Sequence, residues 1–520
     1  MKRVIATIVT LGLMWWGGAA AFAAGPGDSA LRNVPPGDWL TYNRDLAGDR
    51  YSPLHSINRS NVSQLTPKCV LQLGERGAFE ASPIVYRGRI YVTTVHKTVA
   101  VDGTTCRRVW SYTYVPTDPE HLPVNRGVAL YDGRLYRGTT DAHLLALDAA
   151  SGKLLWNVRV ADSADGYEIT GAPVAYDGMV FTSDSGADTG ITGRVHAYDA
   201  VTGRNLWNFD IVPRGDGAGA ASWGGGNVHG GGSSWSSMTI DASRNLILVP
   251  TGNPAPDFQG SGRPGADLYT DSIVALSMRT GKLAWYVQQI PHDVHDWDTA
   301  AAPVLYQNGG HRLMAVASKN GLLYIYRLND RSLVTAVPFN TRKNVDVPLR
   351  WHVPIHVCPG ALGQYNGPAL SPVLDMLFVG ASDHCDEMQL APVRYVPGQV
   401  FFAGVFRPDV HSSGWLRGFE AYSGKQVWSY HDTSMVASGV TVTAGHLVLA
   451  GDANGWFLAL NAENGKVLYR FMTGGPIAGG ISVYGADGRE FIAVASGSSS
   501  RDASARFAAA TLVVFGLPNR

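Results

Sequence analysis

"ALDAASGKLLW", residues 146–156, reads as a strand, a tight turn built around an aspartate and a glycine, and a second strand that ends in an indole ring. The same eleven-residue grammar returns as "AVDGTTCRRVW" (100–110), "AYDAVTGRNLW" (197–207), "ALSMRTGKLAW" (275–285), "GFEAYSGKQVW" (418–428) and "ALNAENGKVLY" (459–469). A degraded copy, "IYRLNDRSLVT", occupies 325–335. Between the units lie further strand pairs around an x-Gly turn, such as "SPIVYRGRIYVTT" (82–94) and "APVAYDGMVFTS" (172–183). One such sheet cannot cover both of its own faces, so self-similar sheets repeating every ~40–50 residues bury apolar surface by stacking on one another. The expected fold class is therefore all-β: an eight-bladed β-propeller with tryptophan-docking motifs. The terminal rings Trp110, Trp156, Trp207, Trp285, Trp428 and Tyr469 should lie flat between neighbouring blades. The interval from 335 to 418 is nearly twice the period and contains "GPALSPVLDMLFVGAS", read as a blade lacking the motif. One blade should be closed by strands from both chain ends.

The totals agree with many short strands. Glycine is abundant, at 61 of 520 residues, and only 16% of the side chains are charged. The 42 basic residues balance 42 acidic ones, so no electrostatic footprint points to nucleic acid or an anionic membrane, and a small-molecule partner fits better. Residues 1–24 carry Lys2 and Arg3, an apolar run and the small-residue pattern Ala21-Phe22-Ala23, the grammar of a cleaved secretory signal. Residues 25–520 are then expected to form a single propeller domain. No later stretch reaches the roughly 18–20 apolar residues of a membrane helix. Export to an oxidising compartment suits four cysteines, and sequential pairing, Cys69 with Cys106 and Cys358 with Cys385, is the expectation among three connectivities. No C-x-x-C-H occurs, which excludes an attached c-type haem on this chain.

The repeat units, together with "WLTYNRDLAGDRYSPLHSINRSNVSQL" (39–65), resemble the quinoprotein alcohol dehydrogenases along essentially the whole chain after the signal. That resemblance implies a periplasmic enzyme that holds pyrroloquinoline quinone (PQQ) and a metal, oxidises an alcohol-type substrate, and hands electrons to a soluble cytochrome c or another periplasmic acceptor. PQQ is a flat ortho-quinone with three carboxylates, so its site needs a stacking face, cations or donors at the rim, and a metal at the reactive carbonyl. "LPVNRGVALYDG" (122–133) is similar to the family's V-N-R-G segment and implies Arg126 against a cofactor carboxylate; "FEASPIV" (79–85) offers Glu80 as a hydrogen-bonding partner. "TGAPVAYDGMVFTSDSGAD" (170–188) implies Thr170, Ser185, Gly186 and Ala187 lining the cofactor and Asp188 on the metal. "GGGSSWSSMTIDASRNLILVPTGNPAPDF" (230–258) implies Trp235 as the floor, Ser233 as a rim donor and Asn253 as a metal ligand. "SKNGLLY" (318–324) supplies Lys319, which would reach the quinone oxygens.

The acidic run "PHDVHDWD" (291–298) takes its meaning from the same resemblance. It implies Asp296 as the base that removes the hydroxyl proton while hydride passes to the C5 carbonyl of PQQ, with Lys319 and the metal holding its pKa low. Asp188, Asn253 and Asp296 offer only hard oxygens, which suits Ca²⁺. Asp298 would add a ligand for a trivalent lanthanide, so calcium and lanthanide both stay open.

Four departures from the family pattern stand out. Glu120-His121 replace its adjacent cysteine pair, Asp188 stands for a glutamate, and His295 and Ala437 stand for tryptophans, which shrinks the apolar walls and admits a bulkier or more polar substrate. Asn366, in "LGQYNGPALSP", aligns with a cofactor-contacting asparagine only after a one-residue slip. Two other readings remain: a non-catalytic propeller that serves as a binding or outer-membrane assembly scaffold, and a sugar-oxidising quinoprotein of the same fold.

Overall fold

A computed structural model of the protein describes residues 25–225, 230–361, 363, 366–500 and 508–518. The expected signal, 1–24, lies outside the described residues. Nearly all regular structure is β: the described residues contain eight sheets of four or five strands and one smaller sheet of three. The first large sheet runs Ile84–Tyr86, Arg89–Thr93, Lys97–Asp102, Arg108–Thr113, each strand antiparallel to the next, and the others repeat this meander.

The eleven-residue units form the outer hairpins, and their spacing has a structural reason. In every copy the first residue pairs with the last, across a bulge at one fixed place: Ala100 with Trp110, Ala146 with Trp156, Ala197 with Trp207, Ala275 with Trp285, Ile325 with Thr335, Gly418 with Trp428, Ala459 with Tyr469. A small residue therefore faces the ring; a Cβ on Gly418 would lie 2.6 Å from the Trp428 ring nitrogen. The seventh residue is left-handed in each copy, including the non-glycine Cys106 (φ 54°) and Arg331 (φ 62°). At the glycine copies a second demand is added, because the ring of the preceding unit presses on that Cα. A Cβ on Gly152, Gly203, Gly281 or Gly465 would come within 2.5–2.9 Å of Trp110, Trp156, Trp207 or Trp428. The indole N–H groups of Trp110, Trp207 and Trp428 donate to the carbonyls of Ala149, Met278 and Ala462, each the fourth residue of the next unit, at 3.1, 2.8 and 2.8 Å. The degraded copy ends in Thr335, whose methyl takes the ring's place against Gly424.

Two expectations about connectivity meet different outcomes. Strands from the two ends of the chain share one sheet, Thr66–Arg76 beside Ala509–Gly516, Arg489–Ser496 and Ile481–Ala486. The long interval before 418, however, holds no separate blade. Its strands Ala369–Ser371 and Met376–Asp383 pair with Ser413–Glu420 and Gln426–Asp432, so "GPALSPVLDMLFVGAS" is the inner half of the sheet whose outer hairpin is the 418–428 unit. The extra length is an excursion whose three strands, Ile355–Val357, Asp386–Leu390 and Gly404–Pro408, pair among themselves. The sequence spacing misled because it measured this excursion as a repeat.

Cys69 is bonded to Cys106 and Cys358 to Cys385, with Cα separations of 5.8 and 4.4 Å. Among the described residues no helix is long and apolar enough to cross a membrane.

Candidate cofactor and metal site

In each meander the first strand begins at the end where the second strand stops, so the lead-in to the first strand and the loop after the second share one end of the sheet. The segments that carry the expected site residues are of these two kinds. Arg126, Thr170, Trp235 and Asp296 precede first strands; Ser185, Asp188, Asn253 and Lys319 follow second strands. All of these except Asn253 line one cavity of about 290 Å³: Arg126, Thr170, Ser185, Asp188, Trp235, Asp296 and Lys319. Gly186, Ala187, Ser233 and Asp298 line it too. This volume is near the lower bound of small-molecule sites, the size of one compact ligand.

The cavity exposes an indole with two cations near it. The Trp235 ring is only half-buried, with the Arg126 guanidinium 4.8 Å and the Lys319 ammonium 6.0 Å from its centroid. Arg126 is held from behind: its Nη2 pairs with a Glu80 oxygen at 2.8 Å, and its Nη1 donates to Thr170 Oγ1 and to the Trp235 carbonyl, both at 3.0 Å. Thr170 Oγ1 in turn donates to Ser185 Oγ at 2.9 Å. Glu80 is thus a fully buried support for the arginine and does not line the cavity. Ser500 donates its backbone N–H to the other Glu80 oxygen at 2.9 Å, a contact across 420 positions that no local pattern announces.

Carboxylates line the same cavity. Asp296 sits in the left-handed region at φ 59°, a strained backbone for a non-glycine residue and a recurrent sign of a functional constraint. Its loop is shaped by Asp293, whose carboxylate accepts the backbone N–H of His295 at 3.1 Å and of Trp297 at 2.9 Å. Lys319 Nζ bridges Asp296 Oδ1 and Asp298 Oδ2, at 2.8 and 2.6 Å. Asp298 Oδ1 accepts the Asn253 backbone N–H at 2.9 Å, and it fits only because residue 252 is glycine, where a Cβ would stand 2.3 Å from that oxygen.

Burial pushes the Asp296 carboxyl well above the usual range, and the charges of Asp298 and Asp188 add to the push; Lys319 opposes them and does not prevail. Lys319 thus acts in the expected direction, and within the protein alone burial outweighs it; the expectation paired Lys319 with a bound metal. His295 stacks on Trp297 with ring centroids 4.2 Å apart, and burial lowers its pKa to about 4, so it is neutral at physiological pH.

Three buried acceptor oxygens near these acids have no hydrogen-bond partner: Asn253 Oδ1 and both oxygens of Asp257. Asp257 is fully buried four residues after Asn253, and sequence reasoning passed over it inside "GNPAPDF", where the acid in an otherwise apolar run was the available signal. Asp188, Asp257 and Asp296 each present an oxygen, all within 4.8 Å of one another. Asn253 is buried behind the wall and does not line the cavity. Asn366 is not among the residues that line the cavity; its Oδ1 accepts the Tyr42 hydroxyl at 2.8 Å and its amide donates to the Ala437 carbonyl at 3.0 Å.

His121, Leu122, Ala361 and Val400 also line the cavity. Where the family carries adjacent cysteines, the chain is fastened by hydrogen bonds: the buried Glu168 carboxyl accepts the backbone N–H of His121 at 2.9 Å and that of Leu122, and the His121 ring meets the Ser163 carbonyl at 2.6 Å. Burial raises Glu168 to about 8.

A half-buried indole and two cations lining one cavity, with orphaned hard-oxygen donors close to its acids, are the demands of a carboxylated quinone with a hard cation. The family profile described as the β-propeller domain of glucose, ethanol and alcohol dehydrogenases using PQQ matches residues 39–337, more than half of the chain. The chain belongs to the PQQ-dependent alcohol dehydrogenase family. Among quinoprotein relatives, quinohemoprotein alcohol dehydrogenase ADH IIB of Pseudomonas putida is 31% identical, over 92% of this chain and 76% of its own. Quinoprotein alcohol dehydrogenase PedH of the same species is 30% identical over 95% of this chain and 92% of its own. The lanthanide-dependent methanol dehydrogenase of Methylacidiphilum fumariolicum is 29% identical over 89% and 85%. A solved europium-containing methanol dehydrogenase superposes with a TM-score of 0.86 at 26% identity, covering 94% of this chain and all of its own. A profile for the outer-membrane assembly factor BamB matches only 412–509, a stretch of repeats containing none of the expected site residues.

Proposed function

We propose that the protein oxidises an alcohol or related hydroxy compound with PQQ as its electron acceptor. When bound, PQQ supplies an ortho-quinone able to take up two electrons as hydride. The chain's own residues divide the remaining work. Trp235 offers the stacking face, and Arg126, locked by Glu80, meets a cofactor carboxylate with Thr170, Ser185 and Ser233 at the rim; Gly186 and Ala187 let the backbone approach a flat ring. Asp188, Asn253 and Asp296 hold the metal, either Ca²⁺ or a lanthanide ion, and Asp298 and Lys319 set the charge around it. Asp296 accepts the substrate's hydroxyl proton, and a cation beside it is what offsets its burial and keeps it ionised. Leu122, Ala361 and Val400 narrow the mouth and limit water.

The observation that carries this reading is the Asp296–Lys319 pair at 2.8 Å, on the wall of a cavity that also exposes Trp235. By the same reading, residues 1–24 direct export to the periplasm and 25–520 form one eight-bladed domain, its units acting as tryptophan-docking motifs. Electrons leave to a separate soluble cytochrome c or a similar periplasmic acceptor. The test is reconstitution of purified protein with PQQ and Ca²⁺ or La³⁺, followed by dye reduction across an alcohol panel. Turnover with at least one alcohol supports the proposal; bound PQQ with no turnover by any alcohol or sugar contradicts it.

A further inference from the structure

On the reading that this site holds a metal, we propose that Asp257 is an additional carboxylate ligand of the ion, and that it, more than Asp298, tilts the site toward trivalent cations. Both Asp257 oxygens lie in a fully buried position with no hydrogen-bond partner, whereas the Asp298 oxygens are taken by Lys319 Nζ and the Asn253 backbone N–H. A buried carboxylate left this way is costly unless something positive meets it. One oxygen each from Asp188, Asp257 and Asp296 lies within 4.8 Å of the others. Hard cations take oxygens at about 2.3–2.6 Å, so two oxygens on one ion stand no more than about 5 Å apart. The trio satisfies that limit without rearrangement, and the orphaned Asn253 Oδ1 is a fourth donor close by in sequence.

Charge bookkeeping gives the direction of the preference. With all four ionised around a bound ion, Asp188, Asp257, Asp296 and Asp298 against Lys319 leave an excess of three negative charges, before a quinone adds its own carboxylates. A divalent ion leaves one charge of that excess uncompensated, and a trivalent ion cancels it. Affinity at such sites follows ligand charge count, so removing one carboxylate weakens a trivalent ion more than a divalent one.

The experiment compares the parent protein with Asp257→Asn and Asp298→Asn, each loaded with PQQ, by Eu³⁺ luminescence lifetimes in H₂O and D₂O and by La³⁺ and Ca²⁺ competition. Asp257→Asn should add about one or two inner-sphere waters, weaken La³⁺ on the order of 100-fold and weaken Ca²⁺ about 10-fold, with smaller changes in Asp298→Asn. Parental hydration and affinity in Asp257→Asn, or larger effects in Asp298→Asn, would overturn the inference while leaving the functional reading intact. A parent protein that takes up neither PQQ nor Eu³⁺ would remove both. A thermal melt without metal guards against misfolding: the isosteric amide should melt at or above the parent, and a lower melting temperature would make Asp257 a structural residue and also overturn the proposal.

Discussion

The junctions between sheets and the loops at the cavity solve opposite problems. At the junctions one solution repeats: a ring on a left-handed glycine, with the indole N–H donating to the next unit's fourth carbonyl at Trp110, Trp207 and Trp428. At the cavity every loop differs, charges are buried, and acceptors such as Asn253 Oδ1 and the Asp257 carboxylate lack partners. The difference teaches where stability is generated and where it is given up. Trp110, Trp207 and Trp428 are satisfied within the fold, though the buried Trp156 Nε1 has no hydrogen-bond partner, and on the proposed reading a cation and an anionic ring complete the cavity.

Substitutions can break that contrast. The largest effect should come from Asp296→Asn, which removes the base and should lower kcat on the order of 10²–10⁴-fold in dye-reduction assays while PQQ absorbance stays bound. The melting temperature should not fall, because a buried carboxylate is removed. Arg126→Met should instead cost about 3–5 kcal/mol by denaturant melts, since it strands the Glu80 carboxylate, and should abolish PQQ uptake. At the junctions, Trp428→Ala should cost about 3–5 kcal/mol through the cavity it leaves and should not change metal affinity. Gly281→Ala should cost about 1–2 kcal/mol or more, because it combines φ 66° with a Cβ 2.5 Å from the Trp207 ring.

The smallest effect concerns pH, away from both regions. Burial raises Glu490 to about 7, and its Oε2 accepts the Ile57 N–H at 2.9 Å. A carboxyl raised on folding stabilises fully below its unfolded pKa, about 4.5, and loses that contribution as pH climbs through about 7. Glu490→Gln should therefore melt increasingly above the parent between pH 5 and pH 8, by a few degrees at the upper end. A constant difference would show that the carboxyl is not perturbed.

What was legible in the sequence follows the same division. The units from 100 to 469 could be read because a ring opposite a small residue and a left-handed seventh position leave a fixed spacing on the chain. The double-length interval could not, since an excursion of self-paired strands has the length of a repeat without its chemistry. Arg126, Trp235, Lys319 and Asp296 were reached through motifs that hold their own loops. Glu168, Ser500 and Asp257 escaped because their roles come from what they face across the fold: Glu168 the rim at His121, Ser500 the distant Glu80, Asp257 the acids of two other loops. The burial of Asp296, which raises its carboxyl against the pull of Lys319, was hidden for a related reason, as Lys319 is visible in sequence and burial is not.

The most direct test of the account is an absorbance titration of PQQ into the metal-free protein, with and without added La³⁺ or Ca²⁺. The account predicts saturation at one equivalent that tightens sharply when metal is present, and loss of that tightening on chelation. Failure to bind PQQ under either condition would contradict it, and would leave the buried acids around Asp296 without the partner their arrangement requires.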